Sequence, residues 1–138
     1  MRCEEVMKRD VEYVAAKDTV RTAAVKMRDE NIGFLPVCDE AKKAIGSITD
    51  RDLAIRVLAD GGQVTTPVQD VMTREVVSCK PEDDVSVAAK LMGKEHKSRL
   101  MCLDKDGRLV GVLSLSDIAQ LDVGASALQE VSKRELRA

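Results

Sequence analysis

The chain is written twice. Shifting the sequence by 65 residues lays positions 4–54 over 69–119 without a gap, and 15 of those 51 positions are identical. Val6-Met7 falls on Val71-Met72, Ala23-Ala24 on Ala88-Ala89, Met27 on Met92, Gly46 on Gly111 and Asp52 on Asp117. Most of the other positions keep their apolar or polar character. So long an ungapped register means one supersecondary unit present in two copies. A unit of about 50 residues with three short strands cannot cover both faces of its own sheet, so each copy needs the other.

Both copies read as β-α-β-β-α. Short apolar runs at 11–15 and 76–79 suit strands. The segments 19–30 and 84–95 then place Val20, Ala23, Ala24 and Met27, and Val85, Ala88, Ala89 and Met92, on single helical faces. Asp18 and Asp83 stand where helix caps are expected. Two strands follow in each copy, Phe34–Cys38 with Ala44–Thr49 and Arg99–Leu103 with Leu109–Ser114, the second pair joined by the turn former Asp-Lys-Asp-Gly. Closing helices are expected over 50–59 and 116–121. The predicted class is mixed α/β (α+β), two such repeats packed sheet to sheet about a pseudo-two-fold axis. Repeat 1 covers 1–60, a linker 61–68, repeat 2 69–122, and a tail 123–138 carries an amphipathic pattern suited to a helix.

Composition excludes several functions. Lys and Arg number 22 against 24 Asp and Glu, for a net charge of -2, so no basic field is available for nucleic acid or an anionic membrane. With one Tyr, one Phe and no Trp, base-stacking platforms are hard to build. No run is long enough to span a bilayer and no signal-peptide pattern opens the sequence, which places the expected location in the cytoplasm. Cys3, Cys38, Cys79 and Cys102 lack Cys-x-x-Cys spacing and His96 is the only histidine, so no zinc site is expected. Cys38 and Cys102 read as buried free thiols, and Cys3 as reactive if exposed. His96 and Lys97 suit either a cleft rim or a solvated loop.

The most specific feature is GSITDRDLAI at 46–55, repeated as GVLSLSDIAQ at 111–120. Thr49-x-x-Asp52 and Ser114-x-x-Asp117 both fit a capping box, which needs no further explanation. A cap, however, does not call for Gly46 and Gly111 three residues earlier, nor for Arg51 and Ser116 beside it. Hydroxyls and an Arg at a helix start suit a phosphate. A carboxylate one turn in can accept two hydrogen bonds from a diol. Phosphate and diol together describe a ribonucleotide.

These residues carry a resemblance to tandem CBS domains (named after cystathionine β-synthase), the Bateman module. It extends over about residues 4–121 and rests on VMKRD and VMTRE, IGFLPVCD and HKSRLMCLD, and GSITDRDLA and GVLSLSDIA. The resemblance implies two clefts between the repeats that accept adenosine-containing ligands: AMP, ADP, ATP, NAD(H) or S-adenosylmethionine. It implies Asp52 and Asp117 as ribose binders, with Thr49 and Arg51, and Ser114 and Ser116, near phosphate. Arg99 resembles the phosphate-contacting Arg of the regulatory γ subunits of AMP-activated kinase. Phe34 stands at the equivalent place in repeat 1, and repeat 2 has Met101 where repeat 1 has Pro36, so unequal sites are expected. Stand-alone members usually form homodimers.

The function expected is therefore a regulatory module sensing an adenine nucleotide, without an obligatory cofactor, acting on an unidentified protein by altered packing or oligomer geometry. The alternative is a ligand-free interaction scaffold that keeps the fold. No P-loop, Gly-x-Gly-x-x-Gly, nucleophile elbow or metal constellation is present, so no catalytic residues are assigned and an enzyme is not expected.

Overall fold

The computed structural model describes residues 1–121; the tail expected to be helical lies outside the described residues. The architecture is mixed α+β with two three-stranded sheets. It contains β1 (Val14–Ala15), α1 (Val20–Glu30), β2 (Phe34–Cys38), β3 (Ala44–Thr49) and α2 (Asp50–Asp52), which runs on as a π-helical stretch, Leu53–Ala59. The second set is β4 (Ser78–Cys79), α3 (Val85–Glu95), β5 (Arg99–Leu103), β6 (Leu109–Ser114) and α4 (Leu115–Ala119). In each sheet the short first strand runs parallel to the middle one, which pairs antiparallel with the third. The 65-residue shift carries β2, β3 and α1 onto β5, β6 and α3 without an offset.

The chain separates into two compact units, and their limits differ from those of the sequence repeats. One unit is Glu12–Val76; the other joins Met1–Val11 to the chain from Val77 onward. The VMKR segment that opens the first repeat thus belongs to the sheet of the second. Lys8 bridges Val112 of β6, and the two exchange backbone hydrogen bonds of 3.0 Å. In the other unit Thr73, from the VMTR segment, bridges Ser47 of β3 with paired bonds of 2.9 Å.

This crossing explains the glycines. A Cβ at Gly46 would lie 2.5 Å from the Thr73 carbonyl oxygen; one at Gly111 would lie 2.6 Å from Met7 Sδ and 2.8 Å from the Lys8 carbonyl oxygen. Close backbone approach, not a ligand, requires Gly there. Met7 and Met72 are buried where the segments cross and join the respective cores.

The caps fall one residue later than the sequence suggested. Thr19 caps α1, accepting a hydrogen bond from the Thr22 N–H, and Asp84 caps α3 through the Ser86 N–H. Asp18 and Asp83 instead accept from the Ala15 and Lys80 N–H groups and close the preceding turns. Both helices end on a left-handed residue, Asn31 and His96, which gives the exposed His96 a structural place. The cores follow the expected faces: Val20, Ala23 and Met27 with Leu35, Val37 and Ile48 in one unit, and Val85, Ala88, Ala89 and Met92 with Leu100, Leu113 and Ile118 in the other.

Candidate functional site

In the unit holding the second repeat, β6 delivers its last residue, Ser114, straight into α4. Ser114 is the N-cap: its backbone is extended, and Oγ accepts the Asp117 N–H at 3.1 Å. The same hydroxyl lies 3.2 Å from Ser116 Oγ, so two hydroxyls share this corner with the Asp117 carboxylate. The Leu115 N–H donates to the Ser98 carbonyl at 2.9 Å and ties the corner to the residue before β5. Arg99, the first residue of β5, pairs across the sheet with Ser114. Its guanidinium is exposed, donates to the Ser98 carbonyl at 3.3 Å, and has no acidic partner among the described residues.

Asp117 carries the chemistry of this corner. Its Oδ2 is buried and accepts no hydrogen bond within the described residues. A buried carboxylate oxygen without a donor is costly, and such an atom in a folded protein calls for an explanation. Four of the seven expected site residues, Arg99, Ser114, Ser116 and Asp117, thus come together, with one acceptor unsatisfied and one cation unpaired.

The corresponding corner of the other unit is closed upon itself. Thr49 Oγ1 accepts the Asp52 N–H at 3.1 Å while Asp52 Oδ2 accepts the Thr49 N–H at 2.9 Å, a complete capping box. Arg56 Nε lies 3.7 Å from Asp52 Oδ1, and its Nη1 donates to the Val71 and Met72 carbonyls at 3.2 Å each. Both carboxylate oxygens of Asp52 are therefore engaged. Arg51 is exposed. Phe34, half-buried, faces Thr49 where Arg99 faces Ser114. The Asp50 carboxylate lies over Gly33, where a Cβ would come within 2.7 Å of Oδ2; this adds negative charge to a corner expected to meet phosphate.

Sequence reasoning missed Asp50 and Arg56. The (i, i+4) spacing of Asp52 and Arg56 was a usable signal for an ion pair on one helix face. The place of Asp50 over Gly33 depends on the path of the loop before β2 and leaves no mark in the motif.

The cysteines are all buried. Cys3, expected to be reactive if exposed, is fully enclosed, and burial pushes its thiol up to about 12. Burial likewise pushes Cys38 up to about 11. Among the described residues no three His, Cys, Asp or Glu side chains are arranged to hold a metal ion, and no helix is long and apolar enough to cross a membrane.

Two repeats of one β-α-β-β-α plan, each ending a sheet in a hydroxyl-capped helix with an Asp one turn in, define a tandem-repeat module. The CBS domain model matches residues 3–59 and 68–124, and the chain belongs to the CBS domain family as a tandem pair. The CBS domain-containing protein YhcV of Bacillus subtilis is 33% identical, with 96% of both chains covered. The crystal structure of Hypoxic Response Protein I with two coordinated zinc ions shares 26% identity at a TM-score of 0.80, covering 87% of this chain and 98% of that one. The CBS domain pair of protein MJ0100, in complex with 5-methylthioadenosine and S-adenosyl-L-methionine, shares 26% identity at a TM-score of 0.79, covering 88% and 98%.

Proposed function

We propose that this protein is a regulatory module that binds an adenosine-containing ligand at the β6–α4 corner of its second repeat. The observation that carries the reading is the unsatisfied, buried Oδ2 of Asp117 beside the Ser114–Ser116 pair. A ribose hydroxyl supplies the missing donor, the two serine hydroxyls and Arg99 supply donors for a phosphate, and charge-assisted bonds make that contact strong. The adenosine-containing ligands in the MJ0100 pair support the ligand class. Within that class AMP, ADP, ATP, NAD(H) and S-adenosylmethionine differ in charge, and the free guanidinium of Arg99 favours those that carry phosphate.

Thr49, Arg51 and Asp52 form the weaker of two sites in this reading, because Asp52 is already committed to its cap and to Arg56. The output is a shift in packing or in association. A ligand changes such an equilibrium only by binding one arrangement better than the other. We infer a homodimer as the working form, with the exposed Ile55 and Leu58 as the apolar contact, and a further protein as the regulated partner.

Isothermal titration with AMP, ATP, NADH and S-adenosylmethionine tests the reading. Binding of at least one, lost in Asp117→Ala and kept in Asp52→Ala, is the expected result. Absence of heat for all four, with folding shown intact by circular dichroism, overturns it in favour of a ligand-free scaffold. In that case Asp117 is a helix-start residue like Asp52.

A further inference from the structure

Three of the four cysteines meet in the core of a single unit. Cys79 of β4 and Cys102 of β5 are facing partners in the parallel ladder, with Sγ atoms 3.4 Å apart. Cys3, on the short helical turn Cys3–Glu5, belongs to the same buried cluster, and its thiol donates to the Asp84 carbonyl at 3.9 Å.

The other repeat serves as an internal control. Shifted by 65 residues, Cys3, Cys79 and Cys102 correspond to Val68, Val14 and Val37. Those valines are buried together, and Val14 faces Val37 in the same ladder position. The fold is therefore satisfied by an apolar trio at these places. One unit has valine at all three positions and the other has a thiol at all three, two of them in van der Waals contact. Packing alone accounts for small apolar side chains here but gives no reason for sulfur at every one.

We propose that Cys79 and Cys102 form a redox-active dithiol, oxidised to an intramolecular disulfide by a low-molecular-weight disulfide and restored by a thiol. Facing residues on adjacent strands lie about 4.8 Å apart, inside the Cα separations of about 4.4–6.8 Å that disulfides span. The sulfurs need only close from 3.4 Å to bonding distance.

Access comes through β4, a two-residue strand at the edge of its sheet. Short edge elements with few ladder bonds open at low cost compared with global unfolding. Cys79 is 5% exposed and Cys102 is fully enclosed, so Cys79 reacts first. Its thiol loses a proton in the opened form and attacks one sulfur of the small disulfide, which releases one small thiolate that takes up a proton. Cys102, deprotonated in turn, attacks the Cys79 sulfur of the mixed disulfide and expels the second small thiolate. Two protein thiols are oxidised, one small disulfide is reduced to two thiols, and the two protons end on those products. The hydrogen bond with Cys102, together with burial, raises the Cys79 thiol well above its ordinary range while the strand is closed, so reaction is gated by opening.

The test equilibrates the full chain in buffers of graded oxidised-to-reduced glutathione ratio, quenches with acid, alkylates in denaturant and maps peptides by mass spectrometry. The expected result is a fall from four free thiols to two, with one peptide pair joining Cys79 to Cys102, reversed by dithiothreitol. Cys3→Val leaves that pair intact, whereas Cys79→Val and Cys102→Val keep their three remaining thiols. Val14 and Val37 indicate that these replacements fold; if one does not, the peptide map of the unaltered chain decides. Four free thiols throughout the series, a Cys3–Cys79 bond, or a bond between chains overturns the proposal.

Discussion

Gly46 and the carbonyl oxygen of Thr73 approach so closely that a methyl group at position 46 would sit 2.5 Å from that oxygen. The neighbour is backbone held by two hydrogen bonds to Ser47, so it cannot yield as a flexible side chain would. Gly46→Ala is expected to destabilise the protein by about 1–3 kcal/mol, the range for forcing atoms into a packed interior. Gly111→Ala is expected to do the same through Lys8. Urea unfolding monitored by circular dichroism measures both, and a change within error in either variant shows that the crossing segment shifts freely.

The two motif aspartates should separate stability from binding. Asp52→Ala removes the reciprocal capping bonds and the Arg56 pair and is expected to cost about 1 kcal/mol. Asp117→Ala removes a carboxylate with one buried oxygen unpaired, so its cost in the ligand-free protein is expected to be smaller. Unfolding midpoints without and with nucleotide give the comparison. The expected pattern is a larger loss for Asp52→Ala without ligand, and loss of ligand stabilisation for Asp117→Ala alone.

Arg99→Ala is expected to weaken a phosphate-bearing nucleotide by about tenfold or more, as for loss of a hydrogen bond to a charged group worth about 1.5–3 kcal/mol. Adenosine, lacking phosphate, should bind the variant and the unaltered protein alike. Equal losses for AMP and adenosine would remove Arg99 from the phosphate contact.

Asp84 is held down from 3.8 to about 2, first by the Ser86 hydroxyl that donates to Oδ2 at 2.6 Å and then by the Ser86 N–H. The folded value is depressed, so the contribution of this cap to stability is present above about 3.8 and lost as pH falls through about 2. Ser86→Ala is expected to move the carboxyl titration upward toward 3.8, read by carbon-detected NMR of the side chain. An unchanged titration would mean that the hydroxyl does not hold the charge.

Leu58 is 81% exposed and Ile55 44%, three residues apart on the helical segment that continues α2. Leu58→Glu is expected to convert a dimer to monomers in analytical ultracentrifugation without shifting the far-ultraviolet spectrum. A monomeric unaltered protein would dispose of the inferred association.

What the sequence revealed about the fold was chiefly what is local or periodic. The helix faces of Val20, Ala23 and Met27 and of their counterparts follow from spacing alone, and so do β2, β3, β5 and β6. The caps fall one residue beyond the expected positions because Asp18 and Thr19, adjacent and both good capping types, serve a turn and a helix respectively. The glycines of the motif suggest ligand binding from sequence alone because the segments that cross them, around Thr73 and Lys8, are distant in sequence. At the candidate site the residue types were legible but their partners were not. Asp52 and Asp117 look alike in the motif, and only the hydrogen bonds around them tell the satisfied carboxylate from the unsatisfied one. The meeting of Cys3, Cys79 and Cys102 joins a terminal turn to two strands and leaves no local trace.

The pairing of Met1–Val11 with the chain beyond Val76 has a consequence for how the protein is made. The Glu12–Val76 unit is continuous, so it is synthesised in full before any residue of β6 is made. Residues 1–11 are made before that unit, yet β6, their partner, is made after it. Until Val112 appears, Met7 and Lys8 have no native surface to cover, and domains that emerge early generally fold as units before later ones. Birth order and assembly order run in opposite senses for this segment, and a chaperone that engages it would act on the folding of the unit completed later.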